Sequence, residues 1–110
     1  MSPSPTPGAP LPSAEPVPDV MSMSQTEIAP NWKVIFHNDD VTTFEFVIAV
    51  IMRFFNHELP EARRLTEEIH LKGLAVVAVL PFEEAEFRQE QVTSVARGNG
   101  FPLTVTIEPD

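Results

Sequence analysis

The hydrophobic positions between residues 31 and 110 include three short strand-like stretches. Trp32–His37 is rich in β-branched and aromatic residues, so we predict a first strand there. Leu74–Leu80 is an unbroken apolar run of seven residues between Gly73 and Pro81. Such a run is typical of a strand buried on both faces, and it predicts the central strand of a sheet. Residues 103–107 alternate between apolar and polar side chains, which predicts a last strand.

Apolar residues at helical spacing predict three helices between these strands. Thr42, with Glu45 three residues later, has the sequence signature of a capping box, which predicts the start of the first helix. Pro60 suits the first turn of the second helix, and Gly73 suits its end. The Gly98-Asn99-Gly100 segment ends the third helix. The predicted helices therefore cover about 43–56, about Pro60 to Gly73, and Glu83 to about Gly98.

The predicted order β-α-α-β-α-β is that of a single α+β domain, with a small three-stranded sheet covered by three helices. The first 30 residues differ in composition, since they hold eight of the twelve prolines and neither lysine nor arginine. Their few large aliphatic side chains cannot bury enough apolar surface to offset the entropy of ordering. We therefore predict a disordered Pro-rich N-terminal tail at residues 1–30 and a folding unit at residues 31–110.

The chain is acidic, which disfavours negatively charged partners as its ligands. The formal net charge is −9 at pH 7, and the seven lysine and arginine residues are scattered. Nucleic acids and anionic membranes attract clustered cations, so neither is an expected partner. The chain has no cysteine, which excludes disulfides and thiolate metal sites. It shows no apolar run near the ~20 residues of a membrane span and no secretory signal pattern, so we expect a cytoplasmic location.

The densest group of polar residues is His37-Asn38-Asp39-Asp40, between the first strand and the first helix. One interpretation is a turn whose side chains bond nearby N–H groups and favour the helix start. The other interpretation is a cation site, in which Asn38 and Asp39 oxygens accept hydrogen bonds from an ammonium group. His70, near the end of the second helix, is either a further acceptor or an ordinary surface residue. Spacing alone does not separate these interpretations.

Few features support metal binding or catalysis. The possible metal ligands are His37, Asp39, Asp40, His57 and His70, but no pair of histidines has the spacing that shares one helix face. No serine lies in a nucleophile motif, and no Gly-rich phosphate loop is present. We therefore expect no metal, no cofactor and no enzymatic activity. A small hydrolase that uses Asp39, Asp40 and His70 is the catalytic alternative.

Four short blocks recur in the order and spacing of a known family. The blocks are Lys33–Asp40 (KVIFHNDD) with Thr42–Val47 (TTFEFV), then Ile69-His70, Lys72-Gly73 and Ala96–Leu103 (ARGNGFPL). Together they resemble the ClpS adaptors of the Clp protease, over about residues 32–108. The Asn-Asp-Asp triplet alone is a weak signal, whereas four blocks in register are a specific one.

The resemblance implies a non-enzymatic, monomeric adaptor that presents proteins with an N-terminal Phe, Tyr, Trp or Leu to a ClpA-type AAA+ unfoldase. Site residues follow from matching the family motifs position by position. The residues matched to binding of the substrate α-amino group are Asn38, Asp39 and His70. The residues matched to the side-chain pocket are Asp40, Thr42, Phe44, Val47, Thr66, Ile69 and Leu103. Glu83 and Arg88 match the unfoldase-docking surface, and residues 1–30 match an extension that assists delivery.

Three positions depart from the family pattern. Phe44 and Thr66 stand where many members carry methionine, and Val41 stands where an aromatic residue is common. The bulkier Phe44 and the smaller, more polar Thr66 predict a shifted or narrower preference among Phe, Leu, Tyr and Trp. The alternative interpretation is a different interaction module on a similar fold, such as a ribosomal-stalk-like docking domain, which would ignore free amino termini.

Overall fold

Strands and helices alternate along the residues that the computed structural model describes, which are 30–110. In chain order the elements are β1 (Asn31–His37), α1 (Phe44–Phe55), α2 (Leu59–Lys72), β2 (Leu74–Pro81), α3 (Phe82–Gly98) and β3 (Thr104–Pro109). This order confirms the predicted α+β class, with three strands and three helices in that part of the chain. The predicted disordered tail lies outside the described residues, apart from Pro30. Within residues 30–110, no helix combines the length and the apolarity needed to cross a membrane.

Strand β1 lies at the centre of the sheet, because both of its edges are paired. The strand order is β2-β1-β3, and both pairings are antiparallel. Val34 and Phe36 are fully buried, and they share one face of the sheet because alternate residues of a strand point the same way. Both side chains belong to the hydrophobic core that the helices complete.

Strand β2 is an edge strand, so the prediction that Leu74–Leu80 forms the central strand is wrong. Burial alternates along its first four residues: Ala75 and Val77 are 2% exposed, whereas Leu74 and Val76 are 46% and 38% exposed. The chain returns after α3 to the free edge of β1, which leaves β2 at the margin. An unbroken apolar run therefore marks a strand here without marking burial on both faces.

The helices cover one face of the sheet and supply much of the core. Their buried residues are Val47, Val50 and Ile51 of α1, Ala62, Leu65, Thr66 and Ile69 of α2, and Ala85, Val92 and Ala96 of α3. Within residues 30–110, Thr66 is the one buried polar side chain. Its hydroxyl donates to the Ala62 carbonyl at 2.7 Å, so this buried polar group has a hydrogen-bond partner.

Helix α1 has a different cap from the one predicted. Thr43 is the N-cap in extended backbone, and its Oγ1 accepts a hydrogen bond from the Phe46 N–H at 3.2 Å. Thr42 instead donates its hydroxyl to the Asp39 carboxylate at 2.7 Å. The predicted capping box of Thr42 and Glu45 is therefore wrong, because the Thr42 hydroxyl is bonded to Asp39 and does not cap the helix.

Candidate functional site

A cavity of about 230 Å³ opens beside the turn that joins β1 to α1. The lining residues are His37, Asn38, Asp39, Asp40, Thr42, Phe44, Val47, Thr66, Ile69, His70 and Leu103. The structure thus brings together all ten residues that the family resemblance matches to α-amino and side-chain binding. The volume is below the ~300–1,000 Å³ of pockets for drug-sized ligands, and it suits a single amino-acid side chain.

The turn formed by Asn38, Asp39 and Asp40 is joined to the end of α2 by a backbone hydrogen bond. The Asn38 N–H donates to the Gly73 carbonyl at 2.9 Å. Gly73 has a φ of 93°, a conformation that glycine adopts without strain, and its own N–H donates to the Ile69 carbonyl. His70 lies in the last turn of α2, so this junction places its ring at the same cavity as Asn38.

The Asp39 carboxylate is held in a fixed orientation by its own turn. Its Oδ1 accepts from the N–H groups of Val41 and Thr42 at 2.8 and 2.7 Å, and its Oδ2 accepts from the Thr42 hydroxyl. Partial burial by itself raises the pKa of Asp39, but the hydrogen bonds from Thr42 and Val41 and the charge of Arg97 lower this pKa below its ordinary value. Asp39 is therefore an anion at neutral pH.

The turn interpretation of the sequence is thus correct for Asp39, and it does not exclude the cation interpretation. A carboxylate offers about four acceptor positions, of which these three bonds leave one. Within the described residues, the Asp39 carboxylate therefore lines the cavity in a fixed orientation and can accept one further hydrogen bond.

Asn38 and His70 present unused polar groups beside this charge. Both side chains are exposed, and neither hydrogen-bonds another protein group within the described residues. The His70 ring contacts the Phe44 ring edge-to-face, with 5.2 Å between the centroids and 71° between the planes. The mouth of the cavity therefore carries an amide, a carboxylate and an imidazole, all of which can accept hydrogen bonds.

Three apolar residues and one threonine form the buried part of the cavity lining. Val47, Ile69 and Leu103 are 6%, 3% and 1% exposed, so they form a buried wall. Thr66 adds a hydroxyl oxygen to this wall, and Phe44 lies at the rim with 43% of its surface exposed. A ligand that fits would place its charged end at the mouth and an apolar side chain inside.

Arg97 supports this site, although it is not among the residues matched to the contacts of the family. Its Nη1 donates to the carbonyls of Phe101 and Leu103, each at 2.9 Å. These bonds hold the segment that places Leu103 in the cavity wall, and the Arg97 charge contributes to the lowered pKa of Asp39. The signal that points to Arg97 is its position within the Ala96–Leu103 block.

Two of the three histidines are tied to the sheet. The His37 Nε2 lies 2.7 Å from the Thr106 Oγ1, and the His57 Nε2 lies 2.7 Å from the Val77 carbonyl oxygen. In the part of the chain that the structure describes, no group of three or more His, Cys, Asp or Glu side chains could hold a metal ion. The five candidate ligands named from the sequence are therefore not gathered into one metal site.

Glu83 and Arg88 lie on α3 and do not line the cavity. Arg88 donates from Nη1 to the Gln91 Oε1 at 2.7 Å, and its guanidinium carbon lies 5.4 Å from the centre of the Phe87 ring. Phe82 and Phe87 are 41% and 56% exposed. The residues matched to unfoldase docking thus lie on a helix that also carries two exposed aromatic rings.

The fold and the cavity define a small α+β binding module with hydrogen-bond acceptors at the mouth of an apolar pocket. Residues 27–106 match the protein family described as "ATP-dependent Clp protease adaptor protein ClpS". The chain belongs to this ClpS family, which is a family of adaptors for the Clp protease.

Individual relatives agree with the family assignment. The ATP-dependent Clp protease adapter protein ClpS of Desulfatibacillum aliphaticivorans is 44% identical over 86 residues, which are 78% of this chain and 83% of that protein. The ClpS of Ruegeria sp. is 42% identical over 86 residues, covering 78% of this chain and 76% of that protein. The structure of Agrobacterium tumefaciens ClpS2 bound to L-phenylalaninamide is similar with a TM-score of 0.72 and 35% identity, over 74% of this chain and 99% of that one.

Proposed function

We propose that this adaptor captures substrate proteins by a free, bulky hydrophobic N-terminal residue and delivers them to a Clp AAA+ unfoldase for degradation. The observation that carries the proposal is a single cavity with exposed acceptors at its mouth and a buried apolar wall. The similar ClpS2 structure supports it, because L-phenylalaninamide has a free amino group next to a benzyl side chain.

Asn38, Asp39 and His70 would receive the substrate's α-amino group. This group has a pKa of ~7.7–8.0, so at neutral pH it is mostly an ammonium with three N–H donors. Asp39 supplies the opposite charge, because its hydrogen bonds keep its pKa low, while Asn38 supplies an amide oxygen and His70 a ring nitrogen as further acceptors. An internal residue has no ammonium to offer. A bound chain that covered these acceptors without matching them would lose about 1–3 kcal/mol for each acceptor that it buries. The site would therefore select a true chain terminus.

The first side chain of the substrate would enter the apolar part of the cavity. Burial of a Phe or Leu side chain contributes roughly 1.5–3 kcal/mol, and the expected substrates begin with Phe, Leu, Trp or Tyr. Phe44 at the rim and Thr66 in the wall would shift or narrow the ranking among these four residues. Peptide panels against the wild type and Thr66→Met measure this effect, and identical rankings for the two proteins would contradict it.

A second surface would serve delivery. We infer that Glu83 and Arg88 contact a ClpA-type unfoldase. Their position outside the cavity lining leaves the pocket free for substrate while the unfoldase is bound. In this proposal, residues 31–110 form the adaptor core and residues 1–30 form an extension that assists delivery.

Calorimetric titration with a Phe-initiated peptide tests the proposal. Asn38→Ala removes an exposed acceptor that makes no side-chain hydrogen bond within residues 30–110, so the fold should persist while binding weakens. A hydrogen bond to a charged group contributes about 1.5–3 kcal/mol, which predicts a loss of about 10- to 100-fold in affinity. Asn31→Ala, at the far end of β1, is the matched control and should bind like the wild type. Equal affinity of Asn38→Ala and wild type would count against an α-amino site.

A further inference from the structure

Phe44 and His70 have different parts in the proposed site, yet their rings are in contact. Phe44 is the first residue of α1 and lies at the rim of the cavity, whereas His70 lies in the last turn of α2. The 5.2 Å separation and the 71° angle are those of an edge-to-face aromatic pair. The contact therefore links Phe44, which would lie against the ligand's side chain, to His70, which would accept a hydrogen bond from the ligand's amino group.

His70 has few other restraints. Its ring is exposed, and no protein group within residues 30–110 hydrogen-bonds its nitrogens. His37 and His57, by contrast, each have a partner at 2.7 Å. An exposed imidazole without a partner samples several rotamers, and ordering it when a ligand binds reduces affinity. A ring that already rests on Phe44 avoids part of this loss.

We propose that Phe44 is a positioning residue for His70, and that the Phe44 ring holds the imidazole ready to accept the substrate's α-amino group. The inference rests on the proposed function and adds a residue to it. It also differs from a simple role of Phe44 in side-chain selection. Selection changes affinity according to the first residue of the peptide, whereas positioning acts on the amino group that all such peptides share.

A double-mutant cycle separates the two roles. Phe44→Leu keeps an apolar side chain and removes the aromatic ring, and Phe44→Tyr keeps the ring. We expect Phe44→Leu to weaken both Phe- and Leu-initiated peptides, with a shared loss of about two- to tenfold in addition to any change in their ranking, and Phe44→Tyr to restore the shared part. In a His70→Ala background, Phe44→Leu should no longer cause this shared loss. Leu71→Ala, next to His70 but 78% exposed, is the control and should bind like the wild type.

A spectroscopic measurement on the ligand-free protein tests the contact itself. The ring current of Phe44 should displace the NMR signals of the His70 ring protons. Phe44→Leu should remove this displacement and leave the His57 signals in place, and Phe44→Tyr should preserve it. Unchanged His70 signals in Phe44→Leu would overturn the inference.

The titrations distinguish this inference from the proposed function. Wild-type binding of peptides with additive losses from Phe44→Leu and His70→Ala would overturn the positioning role alone. A loss confined to one of the two peptides would do the same, since it indicates side-chain selection alone. Failure of the wild type to bind any free N-terminal peptide would overturn both.

Discussion

Removal of the Arg97 guanidinium should loosen the part of the cavity wall that Leu103 forms. Arg97 donates from one nitrogen to the carbonyls of Phe101 and Leu103, each at 2.9 Å. The substitution Arg97→Met keeps most of the apolar stem and removes both donors. It also removes a charge that contributes to the lowered pKa of Asp39, so this pKa should move toward its ordinary value.

The magnitude follows from the burial of the two bonds. The bond to Phe101 is exposed, so water can replace it, whereas the bond to Leu103 is partly buried. A hydrogen bond with one charged partner contributes about 1.5–3 kcal/mol, and we assign this amount to the Leu103 bond alone. In a domain of this size, 1 kcal/mol shifts the Tm by roughly 4–8 °C. The expected fall in Tm for Arg97→Met is therefore about 6–24 °C.

Thermal unfolding followed by circular dichroism measures the effect. Arg63→Met, on the exposed side of α2, is the matched control and should change the free energy of unfolding by no more than about 0.5 kcal/mol. Arg97→Lys keeps the charge and one donor nitrogen, so it should melt between the wild type and Arg97→Met. A melting temperature for Arg97→Met equal to that of the wild type would refute the assignment of Arg97 as the support of Leu103.

Two further predictions concern stability. Asp39 has a folded-state pKa below its ordinary value, so its ionised form stabilises the fold above the unfolded-state pKa of ~3.9, and this contribution is lost as pH falls through the folded-state pKa. Urea unfolding should therefore show a lower free energy of unfolding for Asp39→Asn than for the wild type at pH 7, and the two values should converge in acid. A difference in free energy that does not change with pH would contradict this. On β2, the pairing with β1 shifts register at Val77, so Val77 and Val79 lie on opposite faces and are 2% and 43% exposed. Val77→Ala should cost about 2 kcal/mol and Val79→Ala no more than about 0.5 kcal/mol in the same assay, and equal costs would show that both faces of β2 are buried.

The order of strands and helices could be predicted because hydrophobic period is a local property of the sequence. The position of β2 in the sheet could not. Leu74–Leu80 has the composition of a central strand, yet Val34 and Phe36 of β1 occupy the centre. Strand order depends on where the chain returns after α3, and no local pattern encodes that path.

The candidate site was predictable where one turn or one family block carries the chemistry. Asn38 and Asp39 could be named as acceptors from their place between a strand and a helix. The contacts of Arg97 with Leu103 and of Phe44 with His70 could not be predicted from composition or spacing, because they depend on how separate elements pack. We propose that those contacts hold His70 and the cavity wall in place.

A peptide with a blocked N-terminus shows whether the cavity recognises a charged chain terminus. Calorimetry should compare a Phe-initiated peptide with its N-acetylated twin, because acetylation removes the positive charge and leaves the Phe side chain unchanged. Acetylation leaves one of the three N–H donors, so two charge-assisted hydrogen bonds are lost. At about 1.5–3 kcal/mol each, this loss predicts at least ~100-fold weaker binding of the acetylated peptide. Equal affinity for the two peptides would contradict the account.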